Sequence, residues 1–178
     1  MMKLNRLVAV AVLALSLSSV AVHAADNPAD LNDLQLAHVA YTADNIDIRY
    51  AHLALAISKN PAVREFANTM IRDHEAVNEQ ALALLKKLKV QPQDNFLSKF
   101  LLKRADKLVD EMSKLRGKKF DQRYAANELA YHKEVNGLMR KSFIPNIENG
   151  EVKALFKAGL KIFEVHEGHA AMMVKKLK

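Results

Sequence analysis

The chain has 178 residues, 50% of them hydrophobic, and 27 basic against 20 acidic residues give it a net charge of +7. It contains no cysteine, which excludes disulfide bonds, thiolate metal sites and a lipid anchor on cysteine. The length predicts one domain, and a domain of this size can bury a core without covalent cross-links.

The first residues have the pattern of a secretory signal peptide. Two basic residues precede an apolar run over residues 7–20, and Ala24 lies where a signal peptidase reads small residues. We therefore predict a signal peptide over residues 1–24, cleaved after Ala24, a mature domain over residues 25–178 and a periplasmic location. An uncleaved anchor is the alternative, but the apolar run is shorter than the about 20 residues of a membrane span.

The charge of the mature chain bears on its partners. The leader carries two basic residues and no acidic one, so cleavage leaves 25 basic and 20 acidic residues, a net charge of +5. Such a surface favours anionic partners, here an anionic lipid or glycan of the envelope. A general solubility charge is the simpler interpretation. The sequence has no nucleic-acid-binding motif, so nucleic acid is not expected as a partner.

Helical patterns fill the mature sequence. The first helix is predicted over residues 31–58. Asn60 as a cap and Pro61 as the first helical residue begin the second, which continues to about Val90. The remaining helices are predicted over residues 96–115, over residues 119–142 with an end before Pro145, and from Gly150 to the C-terminus.

These elements predict an all-α fold. The four long helices can form an antiparallel bundle, with the helix over residues 96–115 in the connection between the second and third of them. A bundle with one long crossover is the ferritin-like arrangement. We therefore predict one ferritin-like antiparallel four-helix bundle with an extra helix in its crossover connection.

The last helix is predicted to bury two histidines. Its apolar residues recur at steps of three and four, and His166 and His169 fall on the same face. The predicted face comprises Val152, Leu155, Gly159, Ile162, His166, His169, Met173 and Leu177. A buried imidazole requires a polar partner, so two of them on a dry face predict a metal ion, a carboxylate network or both.

The other long helices also place ionisable residues on their buried faces. Asp47 lies among alanines of the first helix, His74 lies on the second, and His132 follows Glu128 by one turn on the fourth. The candidate metal ligands are Asp47, His74, His132, His166 and His169. Imidazole and carboxylate suit zinc, iron or copper. Asp73 or Glu128 is expected to orient a ligating imidazole from outside.

Simpler interpretations stay open for these residues. A single buried histidine is usually a structural residue with satisfied hydrogen bonds, and methionine at helical spacing is usually core filler. His38 and His52 fall on another face of the first helix and are expected near the surface. A soft copper(I) site that uses Met70, Met172 and Met173 is a minority alternative.

Several blocks of the sequence resemble one known family. They are Asn60-Pro61-Ala62-Val63, Phe66-Ala67, Met70, Asp73-His74 and Asn78, then Phe120-Asp121, Tyr124 and His132, and finally His169. The chain resembles an exported ferritin-like bacterial family of unknown function, often labelled "predicted outer membrane protein". The resemblance extends over nearly all of the mature chain. It implies a ferritin-like bundle in the periplasm and, by analogy of fold, metal binding, but no known reaction. The family often has Glu where this chain has Asp47, and the shorter carboxylate would reach less far.

The spacing of the ionisable residues bears on the chemistry of the centre. Di-iron bundles use Glu-x-x-His motifs, but here Glu128 leads to Tyr131 and Glu164 leads to Glu167. A mononuclear, histidine-rich metal site is therefore the favoured hypothesis.

Two other functions are weighed against it. One is an envelope stress or interaction module, in which a buried histidine–carboxylate network fixes helix register and the basic surface binds partners. The other is an enzyme, which is not expected because the sequence has no serine elbow, phosphate loop or cysteine nucleophile. A hydrolase that uses metal-bound water is the one enzymatic version that fits the residues.

Overall fold

The computed structural model describes residues 27–178, whose regular structure is all helical, so the predicted all-α class is confirmed. The elements, after a 3-10 turn at Pro28–Asp30, are α1 (Asp33–Ile57), α2 (Pro61–Leu88), α3 (Phe96–Ser113), α4 (Gly117–Leu138), a π-helical turn (Met139–Phe143), the short α5 (Ile144–Asn146) and α6 (Gly150–Lys176). The predicted signal peptide lies outside the described residues. Among the helices of residues 27–178, none combines the length and apolarity needed to cross a membrane.

Asparagine begins four of the five long helices. In each case its side-chain oxygen accepts hydrogen bonds from backbone N–H groups of the first helical turn, which have no partner inside the helix. The capping residues are Asn32, Asn60, Asn95 and Asn149. These caps fix where the chain enters each helix, and therefore which residues face the core.

Helix α2 ends at a residue with an unusual backbone conformation. Lys89 has φ = 56° and ψ = 38°, the left-handed region that favours glycine, and its N–H donates to the carbonyls of Leu85 and Lys86. We expect Lys89→Gly to raise the free energy of unfolding by about 0.5–1 kcal/mol, because glycine adopts this conformation without strain. Urea denaturation of the variant beside Lys89→Ala measures this, and an equal gain in both variants would contradict the explanation.

The chain stays helical beyond the end predicted for the fourth helix. The π-helical turn continues α4, and Pro145 lies in the short α5 that follows it directly. Proline therefore marks a change of helix type here rather than the end of the helical segment.

The four long helices other than α3 contact one another in a closed ring. Helix α1 packs against α2 and α4, and α6 packs against the other sides of α2 and α4. Helix α3 lies in the connection between α2 and α4 and packs chiefly on α1. The hydroxyl of Tyr131 on α4 donates to the carbonyl of Ala43 on α1 at 2.9 Å. This contact ties α4 to α1 next to the buried residue Asp44.

Candidate metal centre

Three histidines from three helices meet in the centre of the ring. His74 comes from α2, His132 from α4 and His166 from α6, and all three are at most 3% exposed. The ring centroids of His74 and His132 lie 5.8 Å apart, those of His74 and His166 5.3 Å, and those of His132 and His166 5.5 Å. One ring nitrogen of each histidine lies within 4.8 Å of one ring nitrogen of each of the others.

Helix α1 supplies two buried carboxylates to the same place. Asp47 is 0% exposed, and its Oδ2 lies 2.6 Å from Nε2 of His74 and 3.5 Å from Nε2 of His132. Asp44, one turn earlier, accepts a hydrogen bond from Nδ1 of His74 at 2.8 Å. All four helices of the ring therefore contribute to one polar cluster inside an apolar core.

Each imidazole is held from outside by an oxygen that accepts from one of its two nitrogens. His74 Nδ1 donates to Asp44, His132 Nδ1 donates to the carbonyl of Glu128 at 2.9 Å, and His166 Nε2 donates to Asp73 Oδ2 at 2.9 Å. Outer acceptors of this kind fix the tautomer and the ring orientation of metal-ligating histidines. The prediction that Asp73 orients an imidazole from outside agrees with this geometry.

The opposite nitrogens have no hydrogen-bond partner within the described part of the chain. They are Nε2 of His74, Nε2 of His132 and Nδ1 of His166, and both oxygens of Asp47 share this property. Nε2 of His74 nevertheless lies 2.6 Å from Oδ2 of Asp47, and the two form an ion pair when His74 carries both ring protons. Buried polar atoms without partners are costly and need an explanation. Three imidazoles and a carboxylate fit the donor set that zinc and similar ions bind, once the inner nitrogen of His74 gives up its proton.

Charge in the cluster favours a cation. Burial opposes protonation of His74, but Asp47 and Asp44 together raise its pKa from 6.5 to about 10. Burial lowers the pKa of His132, and it lowers that of His166 to about 4. At neutral pH, His132 and His166 therefore present lone pairs, whereas the proton on His74 offsets the charge of one of the two carboxylates. A metal ion that binds all three imidazoles must displace that proton.

Glu128 is the third buried carboxylate near the histidines. It is 0% exposed, and neither of its side-chain oxygens has a hydrogen-bond partner among residues 27–178. Burial and the neighbouring Asp47 raise the pKa of Glu128 well above its ordinary value. One side-chain oxygen of Glu128, one of Asp47 and one nitrogen of His132 lie within 4.8 Å of one another.

The structure does not place His169 with the other predicted ligands. His169 is exposed, on a surface groove between α2 and α6 that Met172 also lines. The buried face of α6 comprises Val152, Phe156, Gly159, Phe163, His166, Ala170, Met173 and Leu177. The predicted face is thus wrong at Leu155, Ile162 and His169. In each case the residue one position later is the buried one, because the step from the preceding buried residue is four and not three.

Two other histidines lie where the sequence predicts them, and two residues of the cluster were not predicted. His52 is exposed and His38 is partly exposed, as predicted. Asp44 was not a candidate, although it lies one turn before Asp47, a spacing that places the two on the same side of a helix. That spacing is the signal that would have found it. Phe163 was also missed, and its ring stacks on His74 with centroids 4.7 Å apart, closing the cluster on one side.

A family model for a domain of unknown function, DUF4142, matches residues 18–173. The chain belongs to the DUF4142 family. This confirms the predicted membership of an uncharacterised family, whose description states neither a fold nor an outer-membrane location. No curated protein and no solved structure matches the chain.

In this DUF4142 protein, Asp73 contacts the cluster without joining it, so it tests the role of the outer acceptors. We expect Asp73→Asn to weaken the affinity for Zn²⁺ by about 10–100-fold, because His166 loses the carboxylate that orients its ring. Competition with a chromogenic chelator measures the dissociation constant. Asp106→Asn, which removes an exposed carboxylate paired with Arg49, is the control and should bind as the wild type does. Equal losses in both variants would contradict the assigned role.

Proposed function

We propose that this DUF4142 protein binds a divalent transition metal ion through His74, His132, His166 and Asp47. The observation that carries the proposal is that each histidine ring has one nitrogen held by an oxygen outside the cluster and its other nitrogen directed into the cluster. Each imidazole donates one N–H outward to a fixed oxygen. The other nitrogens of His132 and His166 are buried and unpartnered, and that of His74 contacts Asp47, itself a proposed ligand. A hydrogen-bond network alone gives no reason for three such nitrogens to converge.

The donor set indicates which ions fit. Three imidazoles and one carboxylate suit Zn²⁺, Fe²⁺ or Cu²⁺. Copper(I) would prefer thioethers, and the groove lined by Met172 and Met173 is formed with Ala62, Glu65 and Phe66 rather than with the three buried histidines. Bond lengths of roughly 2 Å require the three histidine nitrogens to approach a common point, and require Nε2 of His74 and Oδ2 of Asp47 to move apart from their present 2.6 Å.

The fold and location form part of the same proposal. The ring of α1, α2, α4 and α6, with α3 in the long connection between α2 and α4, supports a ferritin-like bundle. The leader pattern over residues 1–24 supports export to the periplasm. In such a protein, ion binding or storage needs no further catalytic group.

One observation favours a second candidate function. An imidazolium at His74 pairs with both Asp44 and Asp47 without a metal, so the same residues can form a structural network that fixes helix register. The protein would then be an envelope stress or interaction module. This candidate leaves the inner nitrogens of His132 and His166 without partners, which is why the metal-binding function is preferred.

The matched pair His166 and His169 tests the proposal. Both lie on α6, three residues apart, but His166 is buried in the cluster and His169 is exposed. Untagged protein is loaded with Zn²⁺, dialysed and analysed for metal by mass spectrometry. We expect wild type and His169→Ala to retain the ion, and His166→Ala to bind at least about 100-fold more weakly, since even outer partners are worth about 10–100-fold.

Two outcomes would overturn the metal-binding function. One is a wild-type protein without retained metal, and the other is equal retention in His166→Ala and His169→Ala. Far-ultraviolet circular dichroism of each variant in chelator checks that the helices remain folded. If His166→Ala fails to fold, Asp73→Asn takes its place, because it leaves all four proposed ligands intact.

A further inference from the structure

Beyond the single ion, we propose that the centre binds a second divalent cation, held by the carboxylates of Asp47 and Glu128 and bridged to the first by Asp47. This inference rests on the proposed function, because the first ion uses the three histidines. The two groupings of potential ligands are His74, His132 and His166, and Asp47, Glu128 and His132. His132 is the one residue that belongs to both groupings.

Glu128 is the residue that a single ion does not explain. Its side chain is 0% exposed, and both carboxylate oxygens lack a hydrogen-bond partner in the described chain. The nearest histidine nitrogen is Nδ1 of His132, 3.9 Å from Oε2, and that nitrogen already donates to the Glu128 carbonyl. A buried carboxyl group with two unpartnered oxygens is costly, so a cation beside it would remove a large penalty.

Asp47 is placed to bridge two ions. Its Oδ2 lies near the inner nitrogens of His74 and His132, on the side of the first ion. Its Oδ1 is equally buried and has no hydrogen-bond partner in residues 27–178. Because His132 has only one nitrogen left to ligate, it can serve only one ion, whereas a carboxylate can serve two. Ions in two-metal sites lie about 3.5–4 Å apart, a separation that one bridging carboxylate spans.

A third oxygen lies close to this position on the chain. Tyr124 precedes Glu128 by one helical turn, and its hydroxyl is buried with no hydrogen-bond partner in the described residues. The negative charges of Glu128 and Asp47 add to burial in raising the pKa of Tyr124. Water would complete the coordination. Oxygen donors of this kind favour hard cations such as Mn²⁺ over copper(I).

The charges of the centre also accommodate two ions. One divalent cation is balanced by Asp44 and Asp47, and it leaves no role for ionised Glu128. Asp44, Asp47 and Glu128 together supply three negative charges towards two divalent cations, whereas the charge of Asp73 is already paired with Arg72. The competing explanation is one proton shared between Asp47 and Glu128, which would satisfy two of the four oxygens without a second ion.

Stoichiometry separates these explanations. Metal-free wild-type protein is dialysed to equilibrium against Mn²⁺ at pH 7 and analysed by mass spectrometry. We expect two Mn²⁺ per wild-type chain and one per chain in Glu128→Gln. Glu134→Gln, which changes an exposed carboxylate on the same helix, is the control and should bind two. Electron paramagnetic resonance should show the signal of isolated Mn²⁺ weakening as the second ion binds and couples to the first.

The possible results decide the two proposals separately. One Mn²⁺ in the wild type and in Glu128→Gln would overturn the second ion, support the shared proton and leave the proposed function intact. No bound Mn²⁺ or Zn²⁺ in the wild type would overturn both proposals. If Glu128→Gln does not fold, the wild-type stoichiometry and the coupling in its spectrum still decide between one ion and two.

Discussion

Saturating Zn²⁺ is expected to raise the melting temperature of the metal-free protein by about 10 °C. An ion that binds only the folded chain stabilises it by about 4 kcal/mol at a concentration near 1,000 times its dissociation constant. In domains of this size, each kcal/mol shifts the melting temperature by about 2–4 °C. The inner nitrogens exist as a set only in the folded chain, because His74, His132 and His166 come from three separate helices.

Scanning calorimetry with excess chelator and with excess Zn²⁺ measures this shift. The double variant His132→Ala/His166→Ala is the control, and we expect its melting temperature to respond to Zn²⁺ by no more than about 1 °C. The purely structural network predicts that the melting temperature of neither protein responds to metal. A wild-type shift that persists unchanged in the double variant would place the responsible site elsewhere on the chain.

The sequence predicted most of the fold because the signals for it are local. The four asparagine caps act through hydrogen bonds to residues two or three positions away, and Pro61 follows Asn60 directly. Each helix also repeats its apolar residues at short intervals, which are visible without knowing what it contacts. The end of α4 was harder to predict, because the π-helical turn over Met139–Phe143 carries the chain past the position where Pro145 predicts a stop.

The candidate site was harder to predict because it depends on the exact rotation of each helix. In α6, moving the buried face by one residue at alternate steps replaces His169 with Ala170 and Ile162 with Phe163. Both sets of residues look apolar enough to be buried. His166 belongs to both sets and is buried, whereas His169 was assigned to the core because the prediction took a step of three after His166 where the buried face takes a step of four.

Asp44 and Glu128 illustrate a second limit of sequence reasoning. The contacts of both residues are with other helices. Asp44 accepts a hydrogen bond from His74 on α2, and a side-chain oxygen of Glu128 lies within 4.8 Å of one of Asp47 on α1. The sequence favoured a mononuclear site because it lacks Glu-x-x-His motifs. The structure adds a fully buried carboxylate that a mononuclear site leaves without a partner. The sequence of one helix does not show which residues of the other helices converge on it.

Asp47→Asn is expected to lower the free energy of unfolding by about 3 kcal/mol at pH 7 in chelator. Asp47 is fully buried, and breaking a buried pair leaves the partner charge uncompensated, which costs about 3–5 kcal/mol. Burial opposes the ionisation of Asp47, yet His74 and His132 hold its pKa below the ordinary value of 3.8. The folded pKa is thus lower than the unfolded one, so this stabilisation is present above pH 3.8 and is lost as pH falls through the folded pKa.

The opposite sign applies to His74. Its folded pKa of about 10 exceeds the ordinary 6.5, so its contribution is complete below pH 6.5 and is lost as pH rises towards 10. Metal-free wild type should therefore lose stability between pH 7 and pH 10. Asp47→Asn should lose much less over this range, because its His74 has lost the carboxylate that contributes most to raising the pKa. Urea denaturation at both pH values measures the difference.

Asp44→Asn is the matched control for this prediction. Asp44 also contacts His74, but burial raises its pKa, and an asparagine oxygen can still accept from Nδ1 of His74. Neutralising it should cost about 1 kcal/mol, the value of an ordinary hydrogen bond. If Asp44→Asn costs as much as Asp47→Asn, the charge that sustains the imidazolium is shared equally by the two carboxylates. Asp47 would then not be the main carboxylate that stabilises the imidazolium of His74, and its contact with Glu128 would not set it apart from Asp44 in stability.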